Sequence, residues 1–196
     1  MGWDGPPYGV RVEADIDKLS PGVDMPFRRI IPTPLAAACG FVALLLVAGS
    51  GSAGAGELPV RLDDPVGAGE VTVEAGAPLL HVVFFATWCP PCLDELDPLA
   101  DLRDRWSEHG YRLVLVAVQA RHTPERLARF AGERSLPGTL LFDSDGRAAK
   151  AFGADQLPTH LLYDEAGEQL LRAASLDQGV AERVEQLFRK RERASE

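Results

Sequence analysis

The sequence predicts an α/β protein with a mixed central sheet, an N-terminal β-hairpin, and helices that alternate with buried strands. Two runs, Leu79 to Ala86 and Tyr111 to Val118, are short, apolar, β-branched and aromatic, as strands covered on both faces are. Between them Leu93, Leu96, Leu99, Leu102 and Trp106 recur at the spacing of one helix face. Short alternating segments near both ends, broken by Asp, Pro and Gly, read as antiparallel hairpins.

Taken in order, Leu58–Leu62 and Glu70–Val73 form the first hairpin, separated by Asp63-Asp64-Pro65-Val66-Gly67. Gly76-Ala77-Pro78 marks the entry to the first buried strand, and His109-Gly110 stops the helix that follows it. After the second buried strand, Thr123-Pro124-Glu125 opens another helix with Thr at the cap and Pro at the first position; its apolar stripe is Leu127, Phe130 and Ala131. Leu136-Pro137-Gly138 ends it, Thr139–Phe142 is a strand, and Asp143-Ser144-Asp145-Gly146 is a turn. A calcium loop is the rival reading of that turn, but its distal Glu and remaining ligands are missing. Arg147 to Phe152 is one or two helical turns. Thr159–Tyr163 and Glu168–Arg172 flank a second hairpin turn, and Gln178 to Arg193 closes the chain as an amphipathic helix with Val180, Val184, Leu187 and Phe188 inward.

The chemistry sits in Trp88-Cys89-Pro90-Pro91-Cys92, where the first buried strand gives way to a helix. Helix N-termini carry unpaired N–H groups and a partial positive charge, so Cys89 is placed to form a stabilised thiolate. Thiols of Cys-x-x-Cys pairs in that position fall from about 8.5 to between about 3.5 and 7.5. Cys92, one turn further in, is the shielded, resolving thiol. A structural zinc site would need a second ligand pair, and a bond across two intervening residues closes too small a loop to stabilise much. Thiol redox chemistry therefore outweighs both.

The chain has 196 residues and a net charge of −9, with 46% hydrophobic and 25% charged residues. That is ordinary for one globular domain, and the charge excludes a nucleic-acid partner because no basic stripe exists to neutralise phosphates. Residues 1–24 show no period and read as a disordered extension or as the product of a start placed too far upstream, with Met25 the true start. Residues 25–55 combine Arg28-Arg29, an apolar run from Leu35 to Ala48 and the small residues Ser52-Ala53-Gly54-Ala55, which together describe a secretory signal peptide. An uncleaved anchor competes with that reading, although the run falls short of the about 20 apolar residues a spanning helix needs. Residues 56–196 are the folded domain. If the leader leaves, it takes Cys39 with it. Cys89 and Cys92 then remain as one close pair in an oxidising compartment, periplasmic or otherwise extracytoplasmic.

With these elements placed, residues 57 to 190 resemble the thioredoxin superfamily, and within it the TlpA/ResA-type extracytoplasmic thiol–disulfide oxidoreductases. Phe84-Phe85-Ala86-Thr87-Trp88-Cys89-Pro90-Pro91-Cys92 is similar to that branch's active-site line. Leu157-Pro158-Thr159-His160-Leu161-Leu162-Tyr163 is similar to its proline loop, in which the X–Pro bond is cis and faces the cysteines. The stretch from Cys89 to Pro158 exceeds that of a minimal thioredoxin by an inserted helix and strand, about Thr123 to Phe142.

The resemblance implies a thioredoxin-like three-layer sandwich and an enzyme that exchanges a dithiol with substrate disulfides. Cys89 and Cys92 are implied as catalytic, and Glu95 as a proton acceptor or relay. Trp88, Pro90, Leu157, Pro158 and Thr159 are implied to line the substrate groove. The partners implied are proteins bearing disulfides or thiols, with a membrane thiol donor behind a monomeric reductant; no metal or organic cofactor is required. Two departures stand out. Val83 occupies the place of thioredoxin's buried Asp, which removes any proton relay there, and Pro98 lies one residue later than the branch's helix proline. His81, His109, His122 and His160 look scattered, as surface or packing residues. The alternative from another class is a Cu(I)-handling protein that uses the same cysteine pair.

Overall fold

The computed structural model describes residues 57–67 and 69–194. The extension read at 1–24 and the leader read at 25–55 lie outside the described residues. Among the described residues, no helix is long and apolar enough to cross a membrane.

In chain order the elements are β1 (Val60–Asp64), β2 (Gly69–Val73), β3 (Leu79–Phe85), α1 (Pro90–Asp94), α2 (Leu96–Trp106), β4 (Tyr111–Val118), α3 (Pro124–Glu133), β5 (Thr139–Asp143), α4 (Arg147–Ala151), β6 (Thr159–Tyr163), β7 (Gln169–Ala173) and α5 (Val180–Ala194). The strands form one seven-stranded sheet in the order β2-β1-β5-β4-β3-β6-β7. β3, β4 and β5 run parallel, while β6 and β7 on one side and β1 and β2 on the other join antiparallel. The fold class and nearly every element read from the sequence are borne out.

All seven residues of β3 are buried, because helices or loops cover both faces of the sheet. Leu79, Val83 and Phe85 point into a core shared with Leu99, Trp106, Leu127, Val180, Val184 and Phe188, so α2, α3 and α5 cover that face. Leu80, Val82 and Phe84 point the other way, into a core closed by Ala148 of α4 and Phe152. This period of two assigns His81 and Val83 to the α2/α5 face.

Boundaries moved where polar contacts intervened. β1 runs on through Asp64, whose carboxylate then accepts the N–H groups of Val66 and Gly67, each at 2.8 Å. α3 stops at Glu133, before Leu136-Pro137-Gly138, as Arg134 turns to an extended conformation. The helix after the cysteines is not continuous. Pro98 has no N–H for the Asp94 carbonyl and its ring crowds that oxygen, so the helix breaks at Glu95 and restarts as α2.

Gly110 ends the α2 segment with φ 92°, and a Cβ there would lie 2.4 Å from Pro78 Cγ. At the other end of the sheet Asp143 is buried and serves as more than a turn residue. Its Oδ1 accepts from Ala148 N at 3.0 Å and its Oδ2 from Ala149 N at 2.7 Å, which ties β5 to the start of α4. Replacing Asp143 by Ala strands both N–H groups and is expected to cost about 1–3 kcal/mol, read as a lowered urea midpoint at unchanged m-value.

Candidate functional site

The cysteines lie where β3 ends and α1 begins. Cys89 is the N-cap of α1, with φ −98° and ψ 102°, and its N–H donates to Ala86 O at 3.1 Å. Pro90 and Pro91 fill the first two helical positions and carry no N–H. Cys92 N–H is thus the first free donor of the helix, and it reaches Cys89 Sγ at 3.3 Å. The two cysteines are joined by a disulfide with Cα atoms 5.3 Å apart. In this oxidised state the expected contrast in accessibility is slight, since Cys89 is 6% exposed and Cys92 3%. Because α1 is short, the support for charge on Cys89 is this single aimed N–H more than a long helix dipole.

The loop before Cys89 is braced by the loop after β4. Trp88 is 44% exposed, its indole N–H donates to Ala120 O at 2.8 Å, and the Arg121 guanidinium lies 5.4 Å over the ring. Thr87 N–H donates to His122 Nε2 at 3.2 Å, with Thr87 Oγ1 at 3.0 Å from the same nitrogen, and His122 Nδ1 lies 2.6 Å from Val118 O. Nε2 accepts from that backbone N–H, which leaves Nδ1 as the nitrogen that donates to the Val118 carbonyl. Sequence reading set His122 aside as scattered; its role depends on a contact across 35 positions, which no local pattern announces.

The Leu157–Pro158 bond is cis. Thr159 pairs with Phe84, so Pro158 arrives at the end of β3 from which the cysteine loop departs. Pro158 and Thr159 are buried, and the Thr159 hydroxyl donates to Gln156 O at 2.7 Å, bracing its own loop. Of the residues expected to line a groove, Trp88 and Pro90 are exposed and Leu157 is half-buried.

Glu95, at the helix break, spends both carboxylate oxygens. Oε1 accepts from Leu176 N at 2.8 Å and Oε2 lies 2.8 Å from His160 Nε2. From there His160 Nδ1 lies 3.1 Å from His81 Nε2, and His81 Nδ1 2.6 Å from the Tyr111 hydroxyl. Both histidines are fully buried. This corrects the reading of His81 and His160 as scattered packing residues. The pairing of β3 with β6 brings them together, with His160 directly opposite Val83 and His81 diagonal to it on the same face. Val83 lacks a carboxylate, yet its cross-strand neighbour restores a titratable group beside it. Burial first, and His160 second, hold His81 well below the ordinary imidazole range, and burial pushes the Tyr111 hydroxyl far above the ordinary phenol range. Among the described residues no cluster of three or more His, Cys, Asp and Glu is placed to hold a metal.

A mixed sheet with a Cys-x-x-Cys pair at a strand–helix junction and a cis-proline loop at the same end defines a thioredoxin-like domain. The AhpC/TSA family model matches residues 69–169, and the chain belongs to that family. It is 29% identical over 85 residues to thiol-disulfide oxidoreductase ResA of Bacillus thuringiensis subsp. konkukian, covering 43% of this chain and 48% of ResA. It is 30% identical over 91 residues to sporulation thiol-disulfide oxidoreductase A of Bacillus subtilis, covering 46% of this chain and 54% of that protein. The matches thus span about half the length of these relatives. Among solved structures, StoA from Bacillus subtilis superposes with a TM-score of 0.52 at 21% identity, over 64% of this chain and 97% of StoA. A secreted Mycobacterium tuberculosis disulfide oxidoreductase homologous to E. coli DsbE gives 0.52 at 20%, over 64% and 94%. At these identities the structural likeness establishes the fold.

The site has a pH signature of its own. The unfolded chain takes up a proton on His81 near 6.5 that the native site refuses, so stability is full above that pH and falls as pH drops below it. Urea unfolding at about pH 7.5 and about pH 5.5 is expected to differ by about 1.4 kcal/mol from this group, a loss that His81→Gln reduces.

Proposed function

We propose that this protein is a thiol–disulfide oxidoreductase that works outside the cytoplasm as a reductant of substrate-protein disulfides. One observation carries the reading: the Cys89–Cys92 disulfide closes at the mouth of α1, with Cys92 N–H on the sulfur that must bear charge. The names of the curated relatives support it.

In the reduced protein, the Cys89 thiolate attacks one sulfur of a substrate disulfide; that S–S bond breaks and a thiolate leaves, forming a mixed disulfide. Cys92 loses its proton to Glu95, attacks Cys89 Sγ, and the second substrate sulfur leaves. Two electrons pass from protein to substrate, and the substrate's two thiolates take up two protons. Trp88 and Pro90 offer exposed surface and Leu157 half-buried surface for the substrate, beside Pro158 and Thr159, with the Leu157 backbone to pair with an extended strand. The leader at residues 25–55 would deliver the domain to the envelope. There a membrane thiol donor would keep it reduced, and cytochrome c maturation or copper-site assembly would supply clients.

Insulin reduction coupled to a thiol donor is expected to proceed with the wild-type chain and to drop to the uncatalysed rate in Cys89→Ser. Cys92→Ser is expected to accumulate mixed disulfides with substrate, resolved by non-reducing electrophoresis. Wild-type protein that takes up Cu(I) but does not turn over insulin would sink the enzyme reading. A reductant is expected to equilibrate with glutathione nearer about −270 mV than about −120 mV.

A further inference from the structure

The chain from Glu95 to Tyr111 has a direction. An ionised Glu95 accepts at both oxygens, so His160 Nε2 must donate. A neutral His160 then accepts at Nδ1, His81 must donate from Nε2, and His81 Nδ1 accepts the Tyr111 O–H. Every group is satisfied, and the donors all point toward Glu95.

An added proton breaks this order wherever it lands. On Oε1 it would face the Leu176 N–H. On Oε2 or on His160 it turns His160 Nδ1 into a donor, so His81 Nε2 must accept and His81 Nδ1 must donate to the Tyr111 oxygen. The Tyr111 O–H is then left without an acceptor. It is buried, and among the described residues His81 Nδ1 is its partner. Tyr111 thus acts as a terminal donor that opposes protonation at the far end of the chain.

We propose that His160, His81 and Tyr111 are positioning residues that hold Glu95 as an ionised base one turn beyond Cys92, through a buried hydrogen-bond chain with a fixed direction. The proposal rests on the exchange reading above. In the step it serves, Cys92 S–H gives its proton to the Glu95 carboxylate. The resulting thiolate attacks Cys89 Sγ in the mixed disulfide, and the second substrate sulfur leaves as a thiolate that takes up the proton. The titratable groups along the chain are His160 on β6, His81 on β3 and Tyr111 on β4, and Cys92 lies three residues before Glu95 on α1. The loop after β7 contributes the Leu176 N–H, and α5 the uncharged Phe188 ring against Tyr111.

Two measurements on the full-length chain test this. Ring nitrogen shifts of ¹⁵N-histidine-labelled protein at neutral pH are expected to show His81 and His160 neutral and protonated on Nε2. An Nδ1–H tautomer at either one overturns the proposal. Stopped-flow reaction of the reduced protein with the model disulfide dithiobis(nitrobenzoate) then separates the steps. One thionitrobenzoate leaves when Cys89 attacks and the second when Cys92 resolves. In Tyr111→Phe the pair holds its proton to higher pH, so the rising limb of the second phase is expected to move up by about one pH unit. That is about tenfold slower at a fixed pH below it. Tyr163→Phe, which removes a buried hydroxyl that has no hydrogen-bond partner among the described residues, on the other face of the sheet, is expected to leave both readouts unchanged. A limb that stays put or moves down in Tyr111→Phe overturns the proposal, as does an equal shift in Tyr163→Phe. If Tyr111→Phe does not fold, Glu95→Gln carries the kinetic arm: the low-pH limb is expected to flatten, and an unchanged limb refutes the base. Wild-type protein with no second phase sinks the exchange reading and the base with it, while the histidine tautomers still decide the direction of the chain.

Discussion

β3 is covered on both faces and paired on both edges, and that constraint organises the rest of the domain. With no solvent face, each of its side chains must enter one core or the other, and the period of two leaves no choice. The parallel pairing with β4 requires a crossover, which α1 and α2 supply. The antiparallel pairing with β6 brings the proline loop back to the end where the cysteine loop leaves. The cysteines and the cis-proline therefore meet because of strand register, although they are far apart along the chain.

Proline shapes the site by what it removes. Pro90 and Pro91 delete the first two donors of α1, which makes Cys92 N–H the one that meets Cys89 Sγ. Pro98, about two turns further on, deletes another donor and breaks the helix at Glu95. At the break the Glu95 carboxylate reaches two partners on separate elements, His160 on β6 and Leu176 after β7. The two effects share a cause, a missing N–H at a set distance from the cysteine pair.

A polar chain through an apolar core is costly unless every member has a partner. Here Glu95, His160, His81 and Tyr111 satisfy one another, between the ring of Phe188 and the central strands. Such a chain ties α1, β6, β3 and β4 into one unit around the disulfide. It also explains why two histidines sit in strands that otherwise read as purely apolar.

Most of the fold was legible in the residues. Period-two and helix-period patterns depend on near neighbours, so β3, β4, α3 and α5 could be placed within a few positions, and Thr123-Pro124 marked the start of α3 outright. The Cys89–Cys92 pair was legible for the same reason: its spacing and its place between a strand and a helix are local facts. His122 on Thr87 and the run from Glu95 to Tyr111 were not, because they join positions 30 to 81 residues apart. Sequence alone determined which segments become strands and helices and which two sulfurs pair. Strand order and register, which are global choices made by packing both faces of one sheet, decided which polar side chains stand behind those sulfurs.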